Sequence, residues 1–252
     1  MDKKINKIFV IIPAYNEERT IHCVINKILK HIPNVIVIDD GSTDNTREEI
    51  TDLPITILCN DFNQGKDAAL LRGFTYAEPH KPSGIITIDA DSQHDPDDIP
   101  KFLSAVNQHP NHVILGARLI GRQDAPKKNR RANSIADFFI SWAAGQHIVD
   151  SQSGFRYYPM ALLKKHIDDA SRVKHFTFES EILINAAREG YTTLSIPIKS
   201  FYPSDARASH YHTFRDTLQI TAVITKKILT GGLCLPGLLK VLFTRNRSVI
   251  KI

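Results

Sequence analysis

Short unbroken apolar runs alternate along this chain with stretches whose apolar positions recur every three or four residues, a pattern that predicts strands and helices in turn. Ile8-Phe9-Val10-Ile11-Ile12 is a continuous apolar run stopped by Pro13, as suits a parallel strand buried on both faces. Ile21, Val24, Ile25, Ile28 and Leu29 then share one face of a helix. Further strands are predicted at Val35–Ile38, Ile55–Leu58, Ile85–Ile88, Val113–Ala117 and Thr193–Ile198. Helices are expected over Thr46–Ile50, Lys66–Ala77, Asp97–Gln108, Arg131–Ala144, and from the Phe176–Glu181 segment to a stop at Gly190. Ser151–Arg156 reads as a turn entering a short strand. The alternation gives an α/β fold, a Rossmann-like, mostly parallel sheet with helices on both faces. We expect one domain over residues 1–212 and a basic, amphipathic helical extension over 213–252.

In such sheets, sites gather at the carboxyl ends of strands, and polar residues mark those ends here. The strand at Ile85–Ile88 runs directly into Asp89-Ala90-Asp91-Ser92-Gln93. Extended alternation would point Asp89, Asp91 and Gln93 to one side as oxygen ligands for a hard divalent ion that keeps positions open for phosphate. A purely structural role, with Asp91 in a turn and Asp95-Pro96-Asp97-Asp98 starting the next helix, fits Asp95, Asp97 and Asp98. For Asp89 and Asp91 the metal reading is preferred, because charge at the end of a buried strand is costly without a partner.

No Gly-x-Gly-x-x-Gly follows the first strand and no P-loop occurs, so the dinucleotide and NTPase readings lack their phosphate cradle. A nucleotide would be held otherwise. Tyr15 can stack on a base, and Glu17 and Asp40 can accept hydrogen bonds from base or ribose. Asp44 is read as a turn and helix-cap residue, whereas Ser42 suits that role and a functional one equally.

Hydrophobic content of 42% and charge of 23% are those of a globular protein and exclude a disordered chain or a polytopic membrane protein. The net charge of +5 is unevenly placed: six cations and no acids follow Asp216, so residues 1–216 sum to 5 − 6 = −1. A second basic cluster, Arg118, Arg122, Lys127, Lys128, Arg130 and Arg131, is opposed only by Asp124 and suits anion binding at the active edge. Neither cluster is interleaved with aromatics, which argues against nucleic acid. Cys23, Cys59 and Cys234 have no paired spacing and suggest a reduced compartment. The polar start, Met1 to Lys7, has no leader pattern, and the uncharged run Ile228–Leu239 falls short of the roughly 18 residues of a spanning helix. Leu235, Leu238, Leu239 and Leu242 recur at helical spacing among cations only, so the tail is expected to lie on an anionic membrane surface or to fold back on the core.

Taken together, Pro13-Ala14-Tyr15-Asn16-Glu17, Asp39-Asp40-Gly41-Ser42-Thr43-Asp44, Gly65-Lys66, Asp89-Ala90-Asp91-Ser92-Gln93-His94, Ser153-Gly154-Phe155-Arg156 and Phe178-Glu179 resemble family 2 glycosyltransferases of GT-A fold, and within them the dolichyl- and polyprenyl-phosphate sugar synthases. The resemblance implies inverting transfer of a sugar from a nucleotide-sugar donor, of GDP-mannose or UDP-glucose type, to a polyprenyl or dolichyl phosphate. It implies Mg²⁺ or Mn²⁺ on Asp89, Asp91 and Gln93, with the donor held by Pro13, Tyr15, Glu17, Asp40 and Lys66. Arg118, Arg131 and Ser134 would meet the acceptor phosphate. A hydroxyl acceptor would instead need a base, for which Glu179 and Glu181 are the candidates. Asp67, where the family has a small residue, puts an acid near the sugar, and the spacing in Tyr202–His210 departs from that of the mannose synthases. The implied place of work is the cytoplasmic face of a membrane, reached without crossing it. The rival classes are a nucleotidyltransferase, which would keep a Gly-rich loop after the first strand, and a non-catalytic nucleotide-sugar or anion binder.

Overall fold

The computed structural model describes residues 7–121, 127–168, 178–201, 225, 235–243 and 248–250. Its sheet contains β1 (Ile8–Ala14), β2 (Val35–Asp39), β3 (Thr56–Cys59), β4 (Gly84–Thr87), β5 (Val113–Ile120), β6 (Arg156–Pro159) and β7 (Thr193–Lys199), in the order β3-β2-β1-β4-β6-β5-β7. All neighbours are parallel except β6, which runs antiparallel to both β4 and β5. The strand order reverses between β1 and β4, and the crevice at such a switch point is where ligands enter open α/β sheets.

Period-two alternation divides the core between the two faces. Phe9, Ile11, Ile36, Ile38 and Ile85 face one side with α2 (Lys66–Ala77), α5 (Met160–Asp168) and α6 (Phe178–Arg188). Val10, Ile12, Val35, Val37 and Ile86 face the other with α1 (Ile21–Leu29) and α3 (Ile99–Gln108). Most of these side chains are fully buried, and each contributes about 1.5–3 kcal/mol by leaving water. The expected elements form, with adjusted bounds. Residues 48–50 make only a 3-10 turn, and α3 begins at Ile99 behind a 3-10 turn at 96–98, with Asp95 accepting the Asp97 N–H at 3.3 Å as its cap. Helix α4 begins at Lys127 rather than Arg131 and ends at Ala144 as expected.

The antiparallel β6 matters most for the site. Its register sets Arg156 beside Thr87 and Pro159 beside Gly84, so its first residue, rather than its last, lies at the rim where the parallel strands end. Helix α7 (Leu235–Phe243) packs on α4, and beyond it Ser248 and Ile250 hydrogen-bond Ser195 at 2.7 and 2.9 Å, tying that segment to β7. The segment Tyr202–His210 and most of the expected extension lie outside the described residues. Among the described residues no helix is long and apolar enough to cross a membrane.

Candidate active site

The loops after β1 and β2 knit together at the rim. Asn16, in a left-handed conformation (φ 58°), donates its N–H to Ser42 Oγ at 2.9 Å and accepts the Thr43 N–H on Oδ1 at 2.7 Å. The Glu17 N–H donates to Thr46 Oγ1, which Asp44 holds in turn at 2.5 Å, so Asp44 and Ser42 both take the turn role. Pro13, Tyr15 and Glu17 remain half-buried along this wall. Asp40 is buried and its carboxylate is occupied: it accepts from Asn60 Nδ2 at 2.6 Å and from the N–H groups of Gln64 and Gly65 at 2.8–3.1 Å. Those bonds fix the chain ahead of α2, where Gly65 (φ 93°) makes the turn that places Lys66 at the helix start.

Strand β4 stops at Thr87, so the extended parity expected for Asp89, Asp91 and Gln93 gives way to a bend. Ser92 turns left-handed (φ 60°), and the Gln93 N–H folds back onto Asp91 Oδ1 at 3.0 Å. Asp89 meets a cluster that the sequence did not reveal. Lys66 Nζ lies 2.7 Å from Asp89 Oδ1 and 3.0 Å from Glu179 Oε2, while Arg156 Nε stands 3.5 Å from Glu179 Oε1. Burial works against the charges of Lys66 and Asp89, but their mutual attraction prevails, keeping the lysine protonated and the aspartate ionised. Asp91 goes the other way: burial and repulsion from Asp89 raise its carboxyl to about 6.

Arg156 is fully buried and donates to the carbonyl oxygens of Ser151, Ser153 and Glu179 at 2.5–2.8 Å and to Tyr158 Oη at 3.0 Å. It therefore welds the 151–154 turn to the start of α6. Gly154 lies so close to Asp89 that a Cβ there would sit 2.2 Å from Oδ2. The sequence signal for this cradle was the Ser-Gly-Phe-Arg string, an arginine heading an aromatic strand, but its role required the antiparallel pairing.

Two carboxylates close enough for the charge of Asp89 to raise the pKa of Asp91 fit a divalent cation. Among the described residues no three His, Cys, Asp or Glu side chains form a complete cage, so an ion on Asp89 and Asp91 would complete its shell with diphosphate oxygens and water, as Mg²⁺ prefers. Buried His94 has its pKa lowered to about 4 by burial, so it adds no charge to this group near pH 7.

Other expected positions fall differently. Arg118 does not project freely toward an acceptor: it pairs bidentately with Asp150, Nε at 2.8 Å and Nη2 at 2.6 Å, and Asp137 holds the Asp150 and Ser151 N–H groups beside it. Arg131 and Ser134 are exposed on α4, with Ser134 Oγ donating to the Arg130 carbonyl at 2.9 Å. Glu181 lies in the first turn of α6, two residues beyond Glu179. Asp67 is turned inward rather than toward a sugar. It is buried and accepts the Phe178 N–H at 2.9 Å, so Lys66 and Asp67 grip Glu179 and Phe178 in parallel. Asp67→Ala would strand a buried donor at the head of α6 and is expected to cost about 1–3 kcal/mol in thermal or urea melts, with Asp67→Asn recovering much of it. An unchanged midpoint in the alanine variant would contradict this assignment.

The family model described as Glycosyl transferase family 2 matches residues 9–171. Among curated proteins, the chain is 30% identical to a UDP-N-acetylglucosamine–dolichyl-phosphate N-acetylglucosaminyltransferase of Methanococcus voltae, over 77% of this chain and 86% of that one. It is 26% identical to the polyprenol monophosphomannose synthase of Mycolicibacterium smegmatis, over 75% of each. Among solved structures, glucosyl-3-phosphoglycerate synthase from Mycobacterium tuberculosis, in complex with Mn²⁺, UDP-glucose and phosphoglyceric acid, superposes with a TM-score of 0.67 at 16% identity, covering 88% of this chain and 79% of that one. With its switch point, its rim of acids and the span of that match, the chain belongs to glycosyl transferase family 2 and has the GT-A fold.

Proposed function

We propose that the protein moves a sugar from a nucleoside-diphosphate sugar to the phosphate of a polyprenyl lipid, with inversion at the anomeric carbon. The observation that carries this reading is the state of Glu179. Its Oε2 is paired with Lys66 at 3.0 Å, and Oε1 is buried without a hydrogen bond 3.5 Å from Arg156 Nε, so the carboxylate stands between two cations instead of open as a base. A phosphate acceptor is already an anion and requires only orientation, whereas a hydroxyl acceptor requires a proton to be taken. The names of both these relatives support the same acceptor class while differing in the sugar.

In this reading Pro13, Tyr15 and Glu17 line the nucleoside site, with Asp40 shaping its floor through the Gln64–Gly65 turn. Asp89, Asp91 and Gln93 would hold Mg²⁺ or Mn²⁺, which when bound would supply Lewis-acid stabilisation of the leaving diphosphate. Lys66 adds positive charge on the same side, and Arg156 holds the 151–154 turn and Glu179 in register. The acceptor oxygen attacks the anomeric carbon from the face opposite the diphosphate, the C–O bond to the diphosphate breaks, and no proton need move. Arg131 and Ser134 on α4 are the acceptor-side candidates, and Arg118 can join them only by leaving Asp150. The test is a panel of radiolabelled sugar nucleotides with polyprenyl phosphate in detergent. A labelled lipid that mild acid cleaves is the expected product. An acid-stable glycoside would favour the second reading, a hydroxyl acceptor with Glu179 or Glu181 as base.

A lipid acceptor requires the enzyme to work at a membrane, and the α4–α7 pair offers a surface for it. Ile135 and Phe139 on α4 and Leu235, Leu239, Leu242 and Phe243 on α7 are exposed, with Arg131 and Lys240 exposed on the same two helices. Apolar entry into the interface flanked by cations is the pattern of a peripheral anchor, each cation adding about 1 kcal/mol near anionic lipid. Leu239→Asp together with Leu242→Asp is expected to abolish flotation with liposomes containing anionic lipid. Undiminished flotation of that variant would assign membrane contact elsewhere.

A further inference from the structure

The carboxylate best placed to receive a metal ion already carries a cation. Lys66 Nζ sits 2.7 Å from Asp89 Oδ1, and the carboxylate lies close against Gly154, in the 151–154 turn that Arg156 holds. We infer that Lys66 occupies the metal's place on Asp89 until a nucleoside diphosphate arrives, so that ion and diphosphate bind together or hardly at all. This rests on the assignment of Asp89 as a metal ligand.

Charge counting supports the exchange. Asp89, Asp91 and Glu179 contribute three negative charges and Lys66 and Arg156 two positive ones, while Arg118 is neutralised by Asp150. The group stands at 2 − 3 = −1. A divalent ion entering alone would bring it to +1 and would set a second cation against the ammonium on one carboxylate oxygen. Entering with a diphosphate, the ion brings its own counter-charge and gives Lys66 a new anion. The lysine is suited to that move. Its side chain is 34% exposed, and it begins α2, whose first N–H groups favour an incoming phosphate. Glu179 keeps a cation beside it when the lysine leaves, because Arg156 Nε stays 3.5 Å from its other oxygen and Arg156 Nη1 donates to its carbonyl. By linkage, whatever factor the diphosphate adds to metal affinity, the metal adds to diphosphate affinity.

The experiment is Mn²⁺ binding to the whole chain followed by electron paramagnetic resonance at matched free Mn²⁺, with no additive, with UDP and with GDP. The wild type is expected to bind Mn²⁺ weakly alone and roughly tenfold or more tightly with at least one of the nucleotides, within the usual range of coupling. Lys66→Met, which keeps the chain length and removes the charge, should tighten binding of Mn²⁺ alone by about tenfold and shrink the nucleotide effect, while Lys66→Arg should behave like the wild type. Equal wild-type affinity with and without both nucleotides overturns the proposal without recourse to any variant. So does a Lys66→Met protein whose affinity for Mn²⁺ alone is unchanged or lower. Asp89→Asn separates the premise from the inference: if nucleotide-dependent Mn²⁺ binding survives in it, the metal assignment of Asp89 itself is wrong and the exchange falls with it.

Discussion

Asp91→Asn is expected to lower sugar transfer by roughly 100-fold or more, the scale on which loss of one transition-state stabilising group is felt, and at the same time to raise the melting temperature of chelator-treated protein at pH 7. Both effects come from one cause. Burial and the neighbouring charge of Asp89 lift the Asp91 carboxyl to about 6, against 3.8 for the unperturbed group. Between those values the folded chain holds the proton more tightly than the unfolded chain, so this residue makes stability fall as pH rises from about 4 to about 6. At pH 7 the full cost is present. An amide carries no charge, so its advantage is complete at pH 7 and disappears below about pH 4. Melting in EDTA at both pH values, with initial rates in Mn²⁺, checks the pair of expectations. A variant no more stable than wild type at pH 7 contradicts the cost of burying the Asp91 charge, and one with near-normal turnover contradicts the assignment of Asp91 to the metal.

Gly154→Ala is expected to be nearly as damaging although it adds one methyl group. Gly154 is not among the positive-φ residues, so the backbone there accepts alanine. The obstacle is Asp89, whose Cγ and Oδ2 would lie 2.6 and 2.2 Å from the new Cβ. Asp89 must swing away, and in doing so it loses Lys66 and its alignment with Asp91. Activity should drop by about 100-fold, on the scale set by misplacing a reacting group by 1 Å, with a much smaller change in stability. Gly190→Ala is the complementary control. That glycine has φ +88° and nothing within 4 Å of its Cβ position, so alanine there should cost about 1 kcal/mol in stability and leave turnover intact. Wild-type activity in Gly154→Ala would show that the position of Asp89 is not critical to transfer.

The parallel part of the sheet was legible because buried parallel strands are written as unbroken apolar runs, and Ile8–Ile12, Val35–Ile38 and Ile85–Ile88 are such runs. Lys66–Ala77 was placed to the residue because Gly65 marks its start. Helix α5 was missed: Met160–Asp168 follows β6 without a loop, and the Pro159 at the boundary is itself the last residue of the strand. The antiparallel course of β6 was not legible either, since pairing direction depends on partners far away in sequence. That gap hid the larger part of the site. Asp89, Asp91, Lys66 and Glu179 could be nominated singly, but Arg118 with Asp150, Asp67 with Phe178 and Arg156 with Glu179 are long-range pairings, and no local pattern encodes them.

Strand β6 also governs how the molecule comes into being. Strands β3, β2, β1 and β4 form a continuous parallel unit from the first 87 residues, whereas β5 and β7 reach that unit only through the four residues of β6. During synthesis β4 and β5 are therefore complete while both still present unpaired N–H and C=O groups, and they stay open edges until residues 156–159 emerge and slide between them. A nascent chain halted before Arg156 would carry Asp89 and Asp91 on a sheet with two adhesive margins and no activity. Insertion of β6 closes the facing edges of β4 and β5 and, in the same event, delivers Arg156 beside Thr87, so the step that joins the two parts of the sheet is also the step that builds the cradle around Asp89, while the far side of β5 waits for β7.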